Sequence, residues 1–169
     1  MREWARGLSR LVMILAAFAL AAGVGGAGGG PPIRKIVVNL PFEEAELILK
    51  TEAQRQNLNL VNVLDIRKGM ENRGSTFRKY KIYQFCNLEL GSTIYSDSPD
   101  YGAFPLCSVL IYEVDSARTA LAAVRQSWIL EALPDHRPGP AGRAAARRFE
   151  QMIDEIFDAV LDEGKAKGR

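Results

Sequence analysis

The sequence predicts an α+β fold in which a mainly antiparallel sheet carries its helices on one face. Three observations support this prediction. The 169 residues, 47% of them hydrophobic, are enough to bury one core. Alternating apolar runs typical of strands are interleaved with amphipathic stretches typical of helices, and turn-forming residues separate them. The predicted order is βαββ(α)βα, followed by an extra C-terminal helix.

The composition argues against several classes of protein. Two cysteines cannot form the dense disulfide scaffold that holds many small secreted proteins together. A single histidine disfavours a zinc site, because such sites are usually built from several Cys and His ligands. We therefore expect no metal and no cofactor.

The first 21 residues have the pattern of a secretory signal peptide. Three arginines precede an uncharged apolar run over residues 11–22, and a small-x-small cleavage motif ends at Ala21. The glycine-rich residues 23–30 add too little hydrophobicity for an uncleaved anchor. Cleavage would leave 19 basic and 19 acidic residues, and a neutral chain disfavours nucleic acid as a partner. We expect a periplasmic protein with no stable membrane insertion after cleavage.

The predicted domain covers residues 33–133 and follows a flexible Gly/Pro lead-in over residues 22–32. Residues 33–40 alternate and end in an apolar run, which predicts a strand terminated by Pro41. Acidic residues in a first turn, followed by an apolar stripe, predict a helix over about residues 42–55.

Two further strands are predicted before the middle of the domain. Residues 58–66 alternate in polarity, and residues 67–76 are rich in polar residues and glycine, so we expect a strand and then a loop. Aromatic and branched residues predict a strand over residues 77–86. A period of two places Tyr80, Ile82, Gln84 and Cys86 on one face of this strand, and Lys79, Lys81, Tyr83 and Phe85 on the other.

The second half of the domain is predicted to contain one strand between helices. Residues 87–95 suit a short helix, residues 96–105 a loop, and residues 106–114 a central strand. A second helix is predicted from residue 115 or 116 to residue 133, because large side chains recur there at helical spacing. These side chains are Leu121, Val124, Trp128 and Ala132.

A Pro/Gly-rich linker over residues 134–142 is predicted to precede an amphipathic helix over residues 143–163. The apolar stripe of this helix must be buried, either in the core of the domain or against a partner. His136 lies in the linker, where an exposed loop histidine is the expected role.

The two cysteines are the first candidates for chemistry. Cys86 ends one predicted strand and Cys107 opens the next, so the two thiols would lie at one edge of the sheet if these strands are neighbours. A structural disulfide, two buried free thiols and a reactive pair are all compatible with this pattern. No Cys-x-x-Cys motif is present, so the signature of a thioredoxin-like mechanism is missing.

A ligand pocket is the second candidate. Aromatic residues around the loop over residues 96–105 could line it, with Arg78 or Lys81 orienting an anion. The proposed ligand-binding residues are Arg78, Tyr80, Cys86, Asn87, Tyr101 and Phe104.

Three segments carry a resemblance to a known family. They are Phe77-Arg78-Lys79-Tyr80-Lys81-Ile82, Cys86-Asn87, and Phe104-Pro105-Leu106-Cys107 running into Val109-Leu110-Ile111-Tyr112-Glu113. In this order they resemble the domain of unknown function 302 family, over roughly residues 36–133. The resemblance implies a small α+β domain, often dimeric, with no settled activity.

These observations lead to one functional hypothesis and one alternative. The hypothesis is an exported, non-enzymatic binding or accessory protein of a Gram-negative cell envelope, acting as a homodimer on an unidentified small-molecule ligand. The alternative is a thiol-based redox or sulfur-handling protein that uses Cys86 and Cys107.

Overall fold

A five-stranded antiparallel sheet organises the part of the chain that the structure, a computed structural model, describes: residues 30–104 and 108–167. The strands lie in the order β1-β5-β4-β3-β2, so β1 and β2 form the two edges. The predicted α+β class is confirmed. The strands are β1 (Ile33–Val38), β2 (Asn59–Asp65), β3 (Tyr80–Cys86), β4 (Ser108–Asp115) and β5 (Arg118–Val124).

Two long helices, α1 and α5, cover one face of this sheet and enclose the main core with it. The shorter helices α3 and α4 pack against the N-terminal part of α5 and enclose a second, smaller cluster. The helices are α1 (Phe42–Arg55), α2 (Ile66–Glu71), α3 (Leu88–Asp97), α4 (Gln126–Ala132) and α5 (Pro140–Lys167), with short 3₁₀ turns at Pro99–Ala103 and Pro134–His136.

The opposite face of the sheet carries the alternate side chains of each strand, directed away from these helices. Val37 and Val124 are exposed there. The Tyr80 and Tyr112 rings stack with their centroids 5.9 Å apart, and the Lys35 ammonium lies 5.4 Å from the Tyr112 centroid. This face is mainly apolar, and we call it the open face.

The helix predicted from residue 115 to residue 133 is wrong over its first half. A tight turn follows β4, in which the Asp115 carboxylate accepts hydrogen bonds from the Ala117 N–H (3.0 Å) and the Arg118 Nε (2.7 Å). The chain then returns as β5 between β1 and β4. Pairing on both edges of β5 outweighs the helix propensity of its alanines. Only the end of the predicted helix, α4, is helical.

Three smaller differences concern predicted loops. The loop predicted over residues 67–76 overlaps α2, whose first turn is capped by the Asp65 carboxylate accepting from the Lys68 N–H. The loop over residues 96–105 contains a 3₁₀ turn, and the linker over residues 134–142 contains a second one as well as the first three residues of α5. Helix α5 packs into the main core.

The predicted signal peptide (residues 1–21) and most of the lead-in lie outside the described residues, as does Cys107. Among the helices that the structure describes, none combines the length and the apolar character needed to cross a bilayer.

Candidate functional site

A cleft of about 470 Å³ opens between the N-terminal turns of α1, the start of β3 and the helix α2. Its lining is dominated by charge, in equal numbers of both signs. The acidic residues are Glu43, Glu46, Asp65 and Glu71, and the basic residues are Arg67, Lys68, Lys79 and Lys81.

Helix α1 places a carboxylate at the back of this cleft. Phe42, Glu46, Leu49 and Ala53 follow one another at the spacing of a single helix face, and all four side chains are buried. Glu46 is only 9% exposed although it is ionisable. A carboxylate buried to this degree needs partners that replace water.

Strand β3 supplies those partners. Lys81 and Tyr83 share one face of the strand, as the alternation predicts, and in the structure this face is turned toward α1. The Lys81 Nζ donates to the Glu46 Oε1 at 2.8 Å, and the Tyr83 hydroxyl donates to the same oxygen. Glu46, Lys81 and Tyr83 are called the Glu46 triad below.

The environment of the triad shifts the pKa values of Glu46 and Tyr83 in opposite directions. Burial by itself would raise the pKa of the Glu46 carboxyl, but the hydrogen bonds from Lys81 and Tyr83 and the charge of Lys81 lower it overall. Burial, together with the hydrogen bond to Glu46, raises the pKa of Tyr83. At neutral pH the carboxyl is therefore ionised and the phenol is protonated.

A second ion pair lies nearer the mouth of the cleft. The Lys79 Nζ is 2.5 Å from the Glu43 Oε1 and 3.6 Å from the Glu113 Oε1. The hydrogen bond from Lys79 lowers the pKa of Glu43, and the same bond raises the pKa of Lys79. Lys79 and Lys81 also lie 5.8 and 5.5 Å from the centroid of the Phe42 ring, within the range of cation–π attraction.

Helix α2 forms the opposite wall. The Arg67 Nε lies 2.6 Å from the Glu71 Oε1, one turn along the helix, so this pair is satisfied locally. The Lys68 side chain is exposed and makes no ion pair with any residue that the structure describes. Lys68 is therefore a positive charge available at the rim of the cleft.

The predicted ligand-binding residues lie at three separate places. Arg78 is exposed in the loop before β3, and Tyr80, at the start of the strand, borders the cleft. Cys86 and Asn87 follow at the far end of β3, where Asn87 caps α3 by accepting from the Leu90 N–H at 3.0 Å. Tyr101 and Phe104 belong to the second hydrophobic cluster.

The predicted loop over residues 96–105 does border a cavity, of about 440 Å³. Phe104 and His136 line it. Tyr101, by contrast, is fully buried, and burial raises its pKa to about 12. Its hydroxyl lies 3.5 Å from the Gln126 Oε1. Tyr101 is therefore a residue of the hydrophobic core and does not line the cavity.

The state of the cysteines stays a prediction, because Cys107 lies outside the described residues. Cys86 is half-buried at the end of β3, and Gln84 pairs with Ser108, so this end of β3 lies beside the start of β4. Cys86 shares its face with Tyr80, Ile82 and Gln84. Strand β3 therefore places no basic side chain on the face of Cys86.

Sequence reasoning missed Glu46 as a site residue. The available signal was its position, since a glutamate stands in the inward stripe of α1 where an apolar residue is expected. No three His, Cys, Asp or Glu side chains within residues 30–104 and 108–167 come together in a way that could hold a metal ion.

Comparison with known proteins gives a family and a fold. The family model described as "Domain of unknown function DUF302" matches residues 34–159, and so extends beyond the predicted range into α5. An "Uncharacterized protein" of Aquifex aeolicus (strain VF5) is 27% identical over 77 residues, which are 46% of this chain. The match spans about half, 48%, of the length of that curated relative.

A solved structure has the same fold. The crystal structure of an uncharacterized conserved protein DUF302 from Bacillus stearothermophilus superposes with a TM-score of 0.67 over 78% of this chain and 99% of that chain. The sequence identity is 14%, so this likeness concerns the fold alone.

Proposed function

Because this chain belongs to the family described as domain of unknown function DUF302, a description that assigns no activity, we propose a function from its own side chains. It is an exported, non-enzymatic binding protein that holds a small charged molecule in the cleft beside Glu46.

The observation that carries this proposal is the buried Glu46 triad at the back of a cleft with paired charges. The cleft volume of about 470 Å³ is within the usual range for small-molecule sites. Charges fixed by burial and hydrogen bonding before a ligand arrives do not have to be ordered on binding, which favours recognition of a polar molecule.

Binding is favoured over acid–base catalysis by the direction of the pKa shifts. An efficient general acid or base has a pKa close to the working pH. The pKa values of Glu43 and Glu46 are lowered, and those of Tyr83 and Lys79 are raised, so all four move away from neutrality. Near neutral pH these groups therefore keep one protonation state and act as fixed charges or fixed hydrogen-bond donors.

The charge available at the rim indicates the class of ligand. Arg67, Lys79 and Lys81 each have an acidic partner, whereas Lys68 has none among the described residues. A carboxylate on the ligand would give Lys68 the acidic partner that it lacks, and such a charge-assisted hydrogen bond is stronger than one between neutral groups. We therefore propose a small organic acid with further polar groups.

Export is part of the proposal and depends on residues 1–21. Their Arg-flanked apolar run and the cleavage motif ending at Ala21 support delivery to the periplasm. In that compartment the protein would meet small solutes that enter through the outer membrane.

A thermal-shift experiment tests the proposal. The purified chain is titrated with acetate, succinate, citrate and glutamate, and we expect at least one of them to raise the melting temperature. Lys68→Met should raise the dissociation constant of that ligand by at least about tenfold, since it removes the available positive charge. Lys68 is exposed, so its removal should not disturb the core.

The matched control is Lys35→Met, which removes an exposed lysine from the open face. It should leave the affinity unchanged. Failure of all four acids to stabilise the protein would count against an acid-binding cleft, and equal binding by Lys68→Met and the unmodified chain would place the ligand elsewhere.

A further inference from the structure

A pocket of about 320 Å³ lies between α4 and α5. The side chains that line it recur every three or four residues in each helix, which is the spacing of a single helix face. They are Ser127 and Glu131 of α4 and Arg147, Glu150, Gln151 and Asp154 of α5. We call this site the α4–α5 pocket, and it shares no lining residue with the cleft beside Glu46.

Glu150 joins the two walls of the pocket. Its carboxylate accepts hydrogen bonds from the Ser127 N–H at 2.6 Å, the Ser127 hydroxyl at 3.0 Å and the Arg125 Nη1 at 3.1 Å. The charge of Arg125 balances the charge of Glu150. This carboxylate is therefore held in place before any ligand arrives.

Asp154 is balanced in the same way. It forms an ion pair with Arg34, and the Arg125 Nη1 lies 3.8 Å from its Oδ2. Both Glu150 and Asp154 thus have basic partners within the protein, so neither one requires a cation from the ligand.

Two opposite charges of the pocket have no such partner. Glu131 and Arg147 are exposed, and neither makes an ion pair with any residue in the part of the chain that the structure describes. The nearby Arg137 guanidinium donates to the main-chain carbonyls of Leu130 and Glu131, not to the Glu131 carboxylate. The pocket therefore offers one available carboxylate on α4 and one available guanidinium on α5.

A ligand that carries both a carboxylate and an ammonium group matches this arrangement. Arg147 would donate to the ligand carboxylate, and Glu131 would accept from the ligand ammonium, in two charge-assisted hydrogen bonds. A simple anion would be attracted by Arg147 but repelled by Glu131, and a simple cation would meet the reverse. The Gln151 amide adds a neutral donor and a neutral acceptor.

We propose that the α4–α5 pocket is a second binding site, specific for a small zwitterion of the α-amino acid class. Its volume lies at the lower end of the usual range for small-molecule sites. The proposal does not depend on the ligand of the cleft beside Glu46.

Isothermal titration calorimetry on the full purified chain tests the class of ligand. The probes are glycine, L-serine and L-leucine, and the controls are acetate and ethylammonium, each of which carries one of the two charged groups. The titrations are repeated on Lys68→Met, so that acetate bound in the cleft beside Glu46 does not contribute. In this variant we expect at least one amino acid to bind at least about tenfold more tightly than either control, with the same affinity as for the unmodified chain.

Substitutions in the pocket test the two charges. Arg147→Gln and Glu131→Gln should each raise the dissociation constant of that amino acid by at least about tenfold, because each removes a charged partner. The matched control is Arg73→Gln, which removes an exposed arginine from the loop after α2 and should leave the dissociation constant unchanged.

Exchange of the two charges gives a test that loss of folding cannot imitate. Glu131→Arg and Arg147→Glu should each abolish binding alone and restore it together, since the ligand can then bind in the opposite orientation. Circular dichroism shows whether each variant is folded.

Three results would overturn the proposal. The first is that none of the three amino acids binds at millimolar concentration. The second is that Arg147→Gln and Glu131→Gln both leave the affinity of a bound amino acid unchanged. The third is that acetate binds Lys68→Met as tightly as the amino acids do, which would make the pocket a site for simple anions.

Discussion

At the scale of single residues, Glu46 fixes the arrangement of the cleft, because one carboxylate oxygen accepts hydrogen bonds from both Lys81 and Tyr83. Removing its charge would leave the Lys81 ammonium without its main partner. Glu43 forms the comparable pair with Lys79 near the surface, where water replaces a lost partner easily. The two glutamates are therefore a matched set for measuring what burial contributes.

Glu46→Gln should lower the free energy of unfolding by about 2 kcal/mol at neutral pH, the usual range for a hydrogen bond to a charged group. Glu43→Gln should lower it by no more than about 1 kcal/mol. Urea unfolding of the two variants and the unmodified chain measures both. Equal decreases in the free energy of unfolding for the two variants would show that burial of Glu46 does not strengthen its contribution to stability.

The pH dependence of the Glu46→Gln effect has a definite sign. The pKa of Glu46 is lowered in the folded state, so its contribution is present above the unfolded pKa of about 4.3 and is lost as the pH falls through the folded value. The difference between Glu46→Gln and the unmodified chain should shrink in acid. A difference that stays constant as the pH falls through that range would contradict the shift.

The cysteines give a second prediction at this scale. Gln84 pairs with Ser108, and Cys86 and Cys107 each lie within two residues of that pair in sequence, so we expect them to form a disulfide. Closing a loop of about twenty residues should contribute about 3 kcal/mol. Alkylation without reductant should then modify neither thiol, and reduction should lower the melting temperature.

The opposite result has an equally clear meaning. Rapid alkylation of Cys86 in the native protein without reductant would exclude the bridge and would favour the thiol-based alternative.

The candidate site could be predicted only in part from the sequence. Alternation over residues 77–86 predicted that Lys79, Lys81 and Tyr83 share a face, because a strand has a period of two. What that face meets depends on the packing of α1, which no local pattern specifies. The sequence predicts that Tyr101 lines a ligand pocket, because it is an aromatic residue in a polar loop, but a 3₁₀ turn directs it into the core.

At the scale of secondary structure elements, β5 shows that long-range strand pairing can override the local propensity of a sequence. Its residues Arg-Thr-Ala-Leu-Ala-Ala-Val favour a helix locally. They form a strand because β1 and β4 both pair with it and because small side chains fit between larger neighbours. The Thr119 hydroxyl, fully buried, donates to the Leu40 carbonyl at 2.8 Å. Long-range partners of this kind cannot be identified from local periodicity.

Helix α5, in contrast, was predictable from its stripe, and the structure decides between the two roles left open for it. Phe149, Ile156, Phe157 and Val160 belong to the main core. Arg34 of β1 holds the outer side of the helix through ion pairs with Asp154 and Asp158. This helix is an integral part of the fold.

Phe157→Ala should therefore lower the free energy of unfolding by about 3–5 kcal/mol, because a fully buried aromatic ring is removed from the core. Leu88→Ala is the control, since Leu88 is exposed on α3, and it should change stability by less than about 0.5 kcal/mol. Chemical unfolding measures both variants. A small effect of Phe157→Ala would mean that α5 does not stabilise the core.

At the scale of the whole molecule, the sheet divides the protein into two different sides. The helix-covered side holds the core and the charged cleft, and the open face and the β2 edge carry exposed apolar side chains. A molecule with this division can bind a polar solute on one side while apolar surface remains for a protein partner.

Export belongs to this scale as well. When the chain is expressed with residues 1–21 in a Gram-negative host, we predict that it is recovered from the periplasm with an N-terminus near Ala22, since the small-x-small motif ends at Ala21. Intact-mass measurement of the fractionated protein shows this directly. A full-length chain in the membrane fraction would contradict the prediction.

The cleft beside Glu46 is the proposed ligand site, and amide chemical shifts test this assignment most directly. Two-dimensional ¹H–¹⁵N spectra are recorded with and without the organic acid that stabilises the protein most. We predict that the perturbed amides cluster in the first turns of α1, in α2 and at residues 79–81. Perturbations confined to residues 99–104 and His136, which border the other large cavity, or to the open face would contradict the claim.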